Sequence, residues 1–184
     1  APDADWEREV GCVYWEAPDA VVLVDPLVPA DGPSRARFLD ALDRDVEAVG
    51  RPVVALLTCA WHVRSSDELA RRYGGRVLAA DDALPGGAVA FAAPTADEVV
   101  FWLPAPRSLV PGDVLLGTDA GLELCPGSWL GSRGGLPRLV DDLAPLLELP
   151  VERVLTSHGP PVLSGGRDAL AYALASGGGA QPSA

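Results

Sequence analysis

The chain has 184 residues, 48% of them hydrophobic, which is enough for one proper core and predicts a single domain. Against 26 acidic residues stand 14 basic ones, and the net charge of −12 excludes a phosphate-reading stripe for nucleic acid and disfavours anionic membrane surfaces, so the acidity reads as surface solvation. No apolar run reaches transmembrane length, the N-terminus lacks the layout of a signal peptide, and three widely spaced cysteines (Cys12, Cys59, Cys125) read as thiols of a reducing cytoplasm, with one pair plus a free thiol as the alternative.

Two strands are predicted first, over residues 10–15 and 20–24, joined by a turn at Ala17-Pro18-Asp19. The second is a continuous apolar run that ends at Asp25-Pro26, the pattern of a buried strand whose end reaches a polar site. An amphipathic helix follows over 34–48, opened by Pro33, with Phe38, Leu39, Leu42 and Val46 on one face. Next come a strand over 53–57, a loop holding Cys59, Trp61 and His62, and a helix over 65–73 with Ser66 as N-cap and Gly74 as a left-handed stop. A strand over 76–79 completes this part. Strands over 88–92, 98–103 and 108–116 follow, then a long Gly-rich loop over 117–135. The segment 136–149 is helical with a break at Pro145, 151–155 is a strand, and 166–175 is a helix. Residues 176–184 read as a flexible Gly-rich tail behind a domain over 1–175. Lys, Met, Ile and Asn are absent, a GC-rich coding pattern, and the missing Met predicts a further piece upstream of residue 1. The order β-rich, αβ, β-rich, αβα calls for two mixed β-sheets, each with helices on its outer face: a four-layer αββα sandwich of α/β class.

The pieces, in this order, resemble the metallo-β-lactamase superfamily. The strand VVLVDPLVP, ending at Asp25, resembles the one that carries a buried Asp beneath the metal loop. LLTCAWHVRSSDELARRYGGRVLA stands at the place of the family's Thr-His-x-His-x-Asp-His loop with its following helix and strand. FWLPAPRSLVPGDVLLG resembles the hairpin whose Gly-Asp, here Gly112-Asp113, supplies the metal-bridging carboxylate. VERVLTSHGPPVLSGGRDALAYAL resembles the last strand, the His-Gly-Pro turn with the final metal-binding His (His158), and the closing helix. On the loop motif Cys59 stands at the first His, Trp61 at the second, Val63 at the Asp and Arg64 at the last His. The resemblance therefore implies the fold together with a degenerate metal site that keeps Asp113 and His158.

A catalytic zinc needs about three protein ligands and an open position for water. The family's paired site uses five imidazoles, whereas this chain has two histidines, His62 and His158. Two-zinc hydrolysis is thus not expected, and Arg64 places a cation where a metal would sit. Three functions stay open. In the first, the scaffold is a non-catalytic (pseudo-hydrolase) binding or assembly domain that holds no cofactor, with Arg64 paired to Asp113 at the vacated metal position and Asp25 capping the loop amides from below. In the second, a single zinc on Cys59, His62, Asp113 and His158 hydrolyses an ester, thioester or amide. In the third, Cys59 is a nucleophile with His62 or His158 as base. Trp15, Trp61, Trp102 and Trp129 are candidates to line a pocket, Trp129 foremost, and Ser128 and Ser132 lack a nucleophile-elbow context. The partner is expected to be a small molecule or a protein, and oligomerisation stays open.

Overall fold

The computed structural model describes residues 10–178. Strand β1 (Val13–Glu16) pairs antiparallel with β2 (Val21–Val24), and β3 (Val53–Leu56) and β4 (Arg76–Leu78) extend the sheet in parallel, in the order β1-β2-β3-β4. β2 and β3 are buried at every position, as continuous apolar runs covered on both faces must be. A second mixed sheet has the order β10-β7-β6-β5, from β5 (Val89–Ala93), β6 (Glu98–Leu103), β7 (Ser108–Val110) and β10 (Arg153–Val154). β8 (Leu115–Thr118) and β9 (Gly121–Leu124) form a separate ribbon.

Three apolar clusters define four layers. Helices α1 (Gly32–Val49) and α2 (Ser66–Tyr73) cover the outer face of the first sheet, where Leu42 and Leu69 meet Val21, Leu23 and Val53. Between the sheets, Val22, Val24, Val54 and Leu56 pack on Phe101, Leu103 and Val110. Helices α3 (Gly135–Leu143) and α4 (Gly166–Gly178) cover the second sheet through Leu139, Leu143, Leu170 and Leu174 against Val100, Trp102 and Leu109. Each such leucine, taken out of water, contributes on the order of 2 kcal/mol. This is the expected αββα sandwich, and among the described residues no helix is long and apolar enough to cross a membrane.

Several local expectations are corrected. The strand expected over 108–116 is two strands, because Gly112 (φ 61°) turns the chain between them. The loop expected over 117–135 contains β9, whose backbone pairs with β8, and a 3-10 turn over Gly127–Leu130. Ser65, not Ser66, stands at the N-cap position of α2, and its hydroxyl accepts from the Val28 amide instead of capping the helix. Gly74 is the left-handed stop (φ 62°) as expected, and Pro145 divides 136–149 into α3 and a 3-10 turn. α4 runs on to Gly178, so the first residues of the expected tail are helical, while the expectations for 1–9 and 179–184 lie outside the described residues.

Candidate functional site

The site lies where β2 and β3 end, facing the start of β6, the β7–β8 turn and the turn after β10. Parallel strands side by side bring their carboxyl ends to one edge, so Asp25 and Thr58 meet. Asp25 is 1% exposed, and its backbone is in the left-handed region (φ 49°). Its Oδ1 accepts from the Thr58 amide at 2.9 Å. Its Oδ2 accepts from the Thr58 hydroxyl at 2.6 Å, faces His62 Nδ1 at 2.9 Å, and receives the Ser157 hydroxyl at 3.4 Å. The expected capping of loop amides by Asp25 is thus present, and the same carboxylate also orients an imidazole.

His62 sits in the 3-10 turn Ala60–Val63, and it is 3% exposed. Its Nε2 is 3.3 Å from Asp113 Oδ1 and 3.0 Å from the Arg64 guanidinium. Burial opposes a charge on this ring, but the carboxylates of Asp113 and Asp25 on its two sides outweigh burial and carry its pKa up to about 11. A protonated Nε2 faces Asp113, whereas a bare one accepts from Arg64. In neither form does the nitrogen keep a free lone pair.

Arg64 also adopts a left-handed backbone (φ 40°), which turns its side chain inward. Its guanidinium donates to the carbonyls of Gly11 (3.3 Å) and Asp25 (3.2 Å). Among the described residues no ion pair joins Arg64 to Asp113, which corrects that expectation: backbone carbonyls and His62 satisfy the cation first. Asp113 is answered instead by Trp61 Nε1, 3.0 Å from Oδ2, and by His158 Nε2, 3.2 Å from Oδ1. Burial pushes the Asp113 carboxyl up, yet the imidazoles of His158 and His62 hold it far below the carboxylate range. Its Oδ1 is buried and lacks an aligned hydrogen-bond donor although both imidazoles are near.

Gly112 seats this carboxylate. A Cβ there would lie 2.5 Å from Glu98 Oε2 and 2.7 Å from Thr58 Oγ1, and its φ of 61° already favours glycine. Glu98 itself was not foreseen. It is 7% exposed, accepts from the Asp113 amide at 2.8 Å, and burial, first of its causes, pushes its carboxyl up to about 8. β6 is buried from Val100 to Leu103 on both faces, so an acid at its start is covered whichever face it takes. The His158 turn is held by the Gly117 amide, which donates to the His158 carbonyl at 2.8 Å, and Gly159 (φ 75°) packs so tightly on Gly117 that neither has room for a side chain.

Of the four expected donors, the structure brings three into one group: ligand atoms of Cys59, His62 and Asp113 lie within 4.8 Å of one another. His158 joins through Asp113 and is not part of that set. By donor type, thiolate, imidazole and carboxylate suit zinc. Cys59 is 6% exposed, and burial pushes its thiol up, with His62 pulling the other way. All three described cysteines are free.

Above this floor opens a cleft of about 1080 Å³ lined by Trp61, Trp129, Leu27, Arg133, Cys125 and Glu98 among others. Trp61 and Trp129 are 54% and 41% exposed, whereas Trp15 and Trp102, the other two candidates, are core residues at 8% and 6%. Val63, Ser128 and Ser132 are exposed and are not among the lining residues.

No family model and no curated protein matches the sequence. Solved structures do match. The metallo-beta-lactamase FIM-1 from Pseudomonas aeruginosa, in its mono-zinc form, aligns over 92% of this chain and 84% of its own, with 18% identity and a TM-score of 0.52. VMB-1 aligns over 91% and 85%, with 15% identity and a TM-score of 0.54. The flavodiiron protein from Giardia intestinalis aligns over 92% of this chain and 51% of its own, with 13% identity and a TM-score of 0.52. The chain has the metallo-β-lactamase fold. Within that fold, Cys59, His62 and Asp113 form a group that could hold an ion.

Proposed function

We propose that this is a metallo-β-lactamase-fold domain that binds a ligand in its cleft and performs no metal-dependent hydrolysis. The observation that carries the reading is the Arg64 guanidinium 3.0 Å from His62 Nε2. A metal ligand must offer a lone pair, and this nitrogen's pair is committed either to Arg64 or to a proton shared with Asp113. A divalent ion on Cys59, His62 and Asp113 would also stand against the Arg64 guanidinium, a fixed cation. The residues as arranged do not fit zinc, although their chemical types do.

With zinc set aside, what remains is a binding surface. Asp25, Thr58 and Ser157 hold the floor, Asp113 and His62 carry its charge, and exposed tryptophans form its mouth. The second reading, a single-zinc hydrolase of an ester, thioester or amide, is favoured by the spacing of Cys59, His62 and Asp113. Zinc uptake separates the two. After incubation with zinc and desalting, the wild-type protein is expected to retain well under one zinc per chain, and Arg64→Ala is expected to retain more. One zinc per wild-type chain, lost in His158→Ala, would establish the hydrolase reading instead.

A further inference from the structure

Exposed apolar side chains are not spread evenly over this surface. Of the nine large hydrophobic residues exposed among those described, four (Val10, Leu27, Trp61 and Trp129) line the one cleft. Concentration of this kind marks a binding surface, since scattered exposure is the ordinary state. The cleft is also less acidic than the chain: with its histidines counted as neutral, two arginines balance two carboxylates. In a protein of net charge −12, both histidines and two arginines line it, against the carboxylates of Asp113 and Glu98.

Most of these charges are already engaged. Asp113 Oδ2 accepts from Trp61, its Oδ1 lies between the imidazoles, and Glu98 Oε2 accepts from the Asp113 amide. Arg64 is bound to two backbone carbonyls and His62. Arg133 differs. Its side chain is 50% exposed, and its ion pair, with the 71% exposed Asp97, spans 3.6 Å. A pair of that exposure contributes about 0–1 kcal/mol, so a ligand can take the guanidinium at little cost. Arg133 follows Trp129 by four positions, and both line the cleft.

We propose that the cleft takes a small amphipathic carboxylate, its apolar body against Trp61 and Trp129 and its carboxylate on Arg133. Arginine offers a planar fork that matches a carboxylate with two parallel bonds, and tryptophan offers the broadest apolar face for a flat or acyl body. The proposal rests on the reading of the cleft as a binding site, and it deepens that reading by naming the ligand class.

Calorimetric titration with three matched probes tests it: 2-naphthoate, 2-naphthamide and 2-naphthylmethylammonium, at low salt so that screening does not hide the ionic contact. Naphthoate is expected to bind at least about tenfold more tightly than either of the others, equivalent to about 1.4 kcal/mol. Arg133→Gln is expected to remove that preference and leave naphthamide binding unchanged, while Trp129→Ala weakens both. Both positions are exposed, and unchanged thermal unfolding would verify that the variants fold. Equal binding of the three probes, a preference for the ammonium, or no binding of naphthoate up to its solubility limit would overturn the proposal. Zinc bound at one per chain would overturn the metal-free reading instead, and the probe preference does not depend on that result.

Discussion

The floor and the mouth of the cleft are built on opposite principles. At the floor, Asp25, Thr58, His62 and Ser157 are each at most 3% exposed and bound to one another, so the loop after β3 is held by hydrogen bonds in a place where this fold can hold it with metal. At the mouth, Trp61, Trp129 and Arg133 stand about half in solvent, Trp61 on its hydrogen bond to Asp113 and Arg133 on an exposed pair with Asp97. The difference shows that the floor is fixed by its own polar network, whereas the rim is open to solvent. On the proposed reading, ligand selectivity lies at the rim. Substitutions at the floor should therefore act on folding, and substitutions at the rim on binding.

The strongest way to break this contrast is Asp25→Ala. It leaves the Thr58 amide and hydroxyl, the Ser157 hydroxyl and His62 without their shared acceptor in a dry site, and is expected to destabilise the fold by about 4 kcal/mol in chemical denaturation. A loss below about 1 kcal/mol would show that the network is not structural.

Titration gives the next largest effect. The raised pKa of His62 contributes stability that is fully present below its ordinary value of 6.5 and is lost as pH rises through about 11. Glu98, raised from 4.5 to about 8, acts in the same direction over a lower window, through preference for its protonated form when folded. Unfolding free energy should thus decline steadily from about pH 5 to about pH 11, by roughly 3 kcal/mol in all. Glu98→Gln is expected to flatten the lower part of the profile and His62→Gln the upper part. A stability that rises over this range would contradict the charge arrangement at the floor.

Gly112→Ala follows, with an expected loss of about 2 kcal/mol from left-handed strain and from contact with Glu98 and Thr58. Trp129→Ala comes last for stability, within about 0.5 kcal/mol of wild type, since its side chain is largely outside the core. A large loss there would erase the distinction between floor and mouth.

The sequence made the frame legible because the frame depends on local patterning. Apolar runs such as VVLV and VVAL, the amphipathic face of α1, the Gly74 stop and the Pro145 break each leave a mark within a few residues. The hairpin of β8 and β9 was hidden because its residues are glycine-rich and gain order from pairing, not from propensity. At the site, Asp25, Asp113 and His158 were found through their place in the order of motifs. The partner of Arg64 was not, since its choice of carbonyls over Asp113 depends on an inward-turned backbone at φ 40° that no local pattern announces. Glu98 was not foreseen, since a lone acid at the start of an apolar run reads readily as a strand end.

The most direct test of the central claim is to observe the nitrogens of the two histidines by ¹⁵N NMR before and after addition of zinc, a simple spectrum because the chain has only His62 and His158. The account predicts that the Nδ1 proton of His62 stays with Asp25 and that the Nε2 signal does not move when zinc is added. A zinc-dependent shift of His62 Nε2 in the wild-type protein would contradict it, because that nitrogen would then hold a metal that the present arrangement denies it.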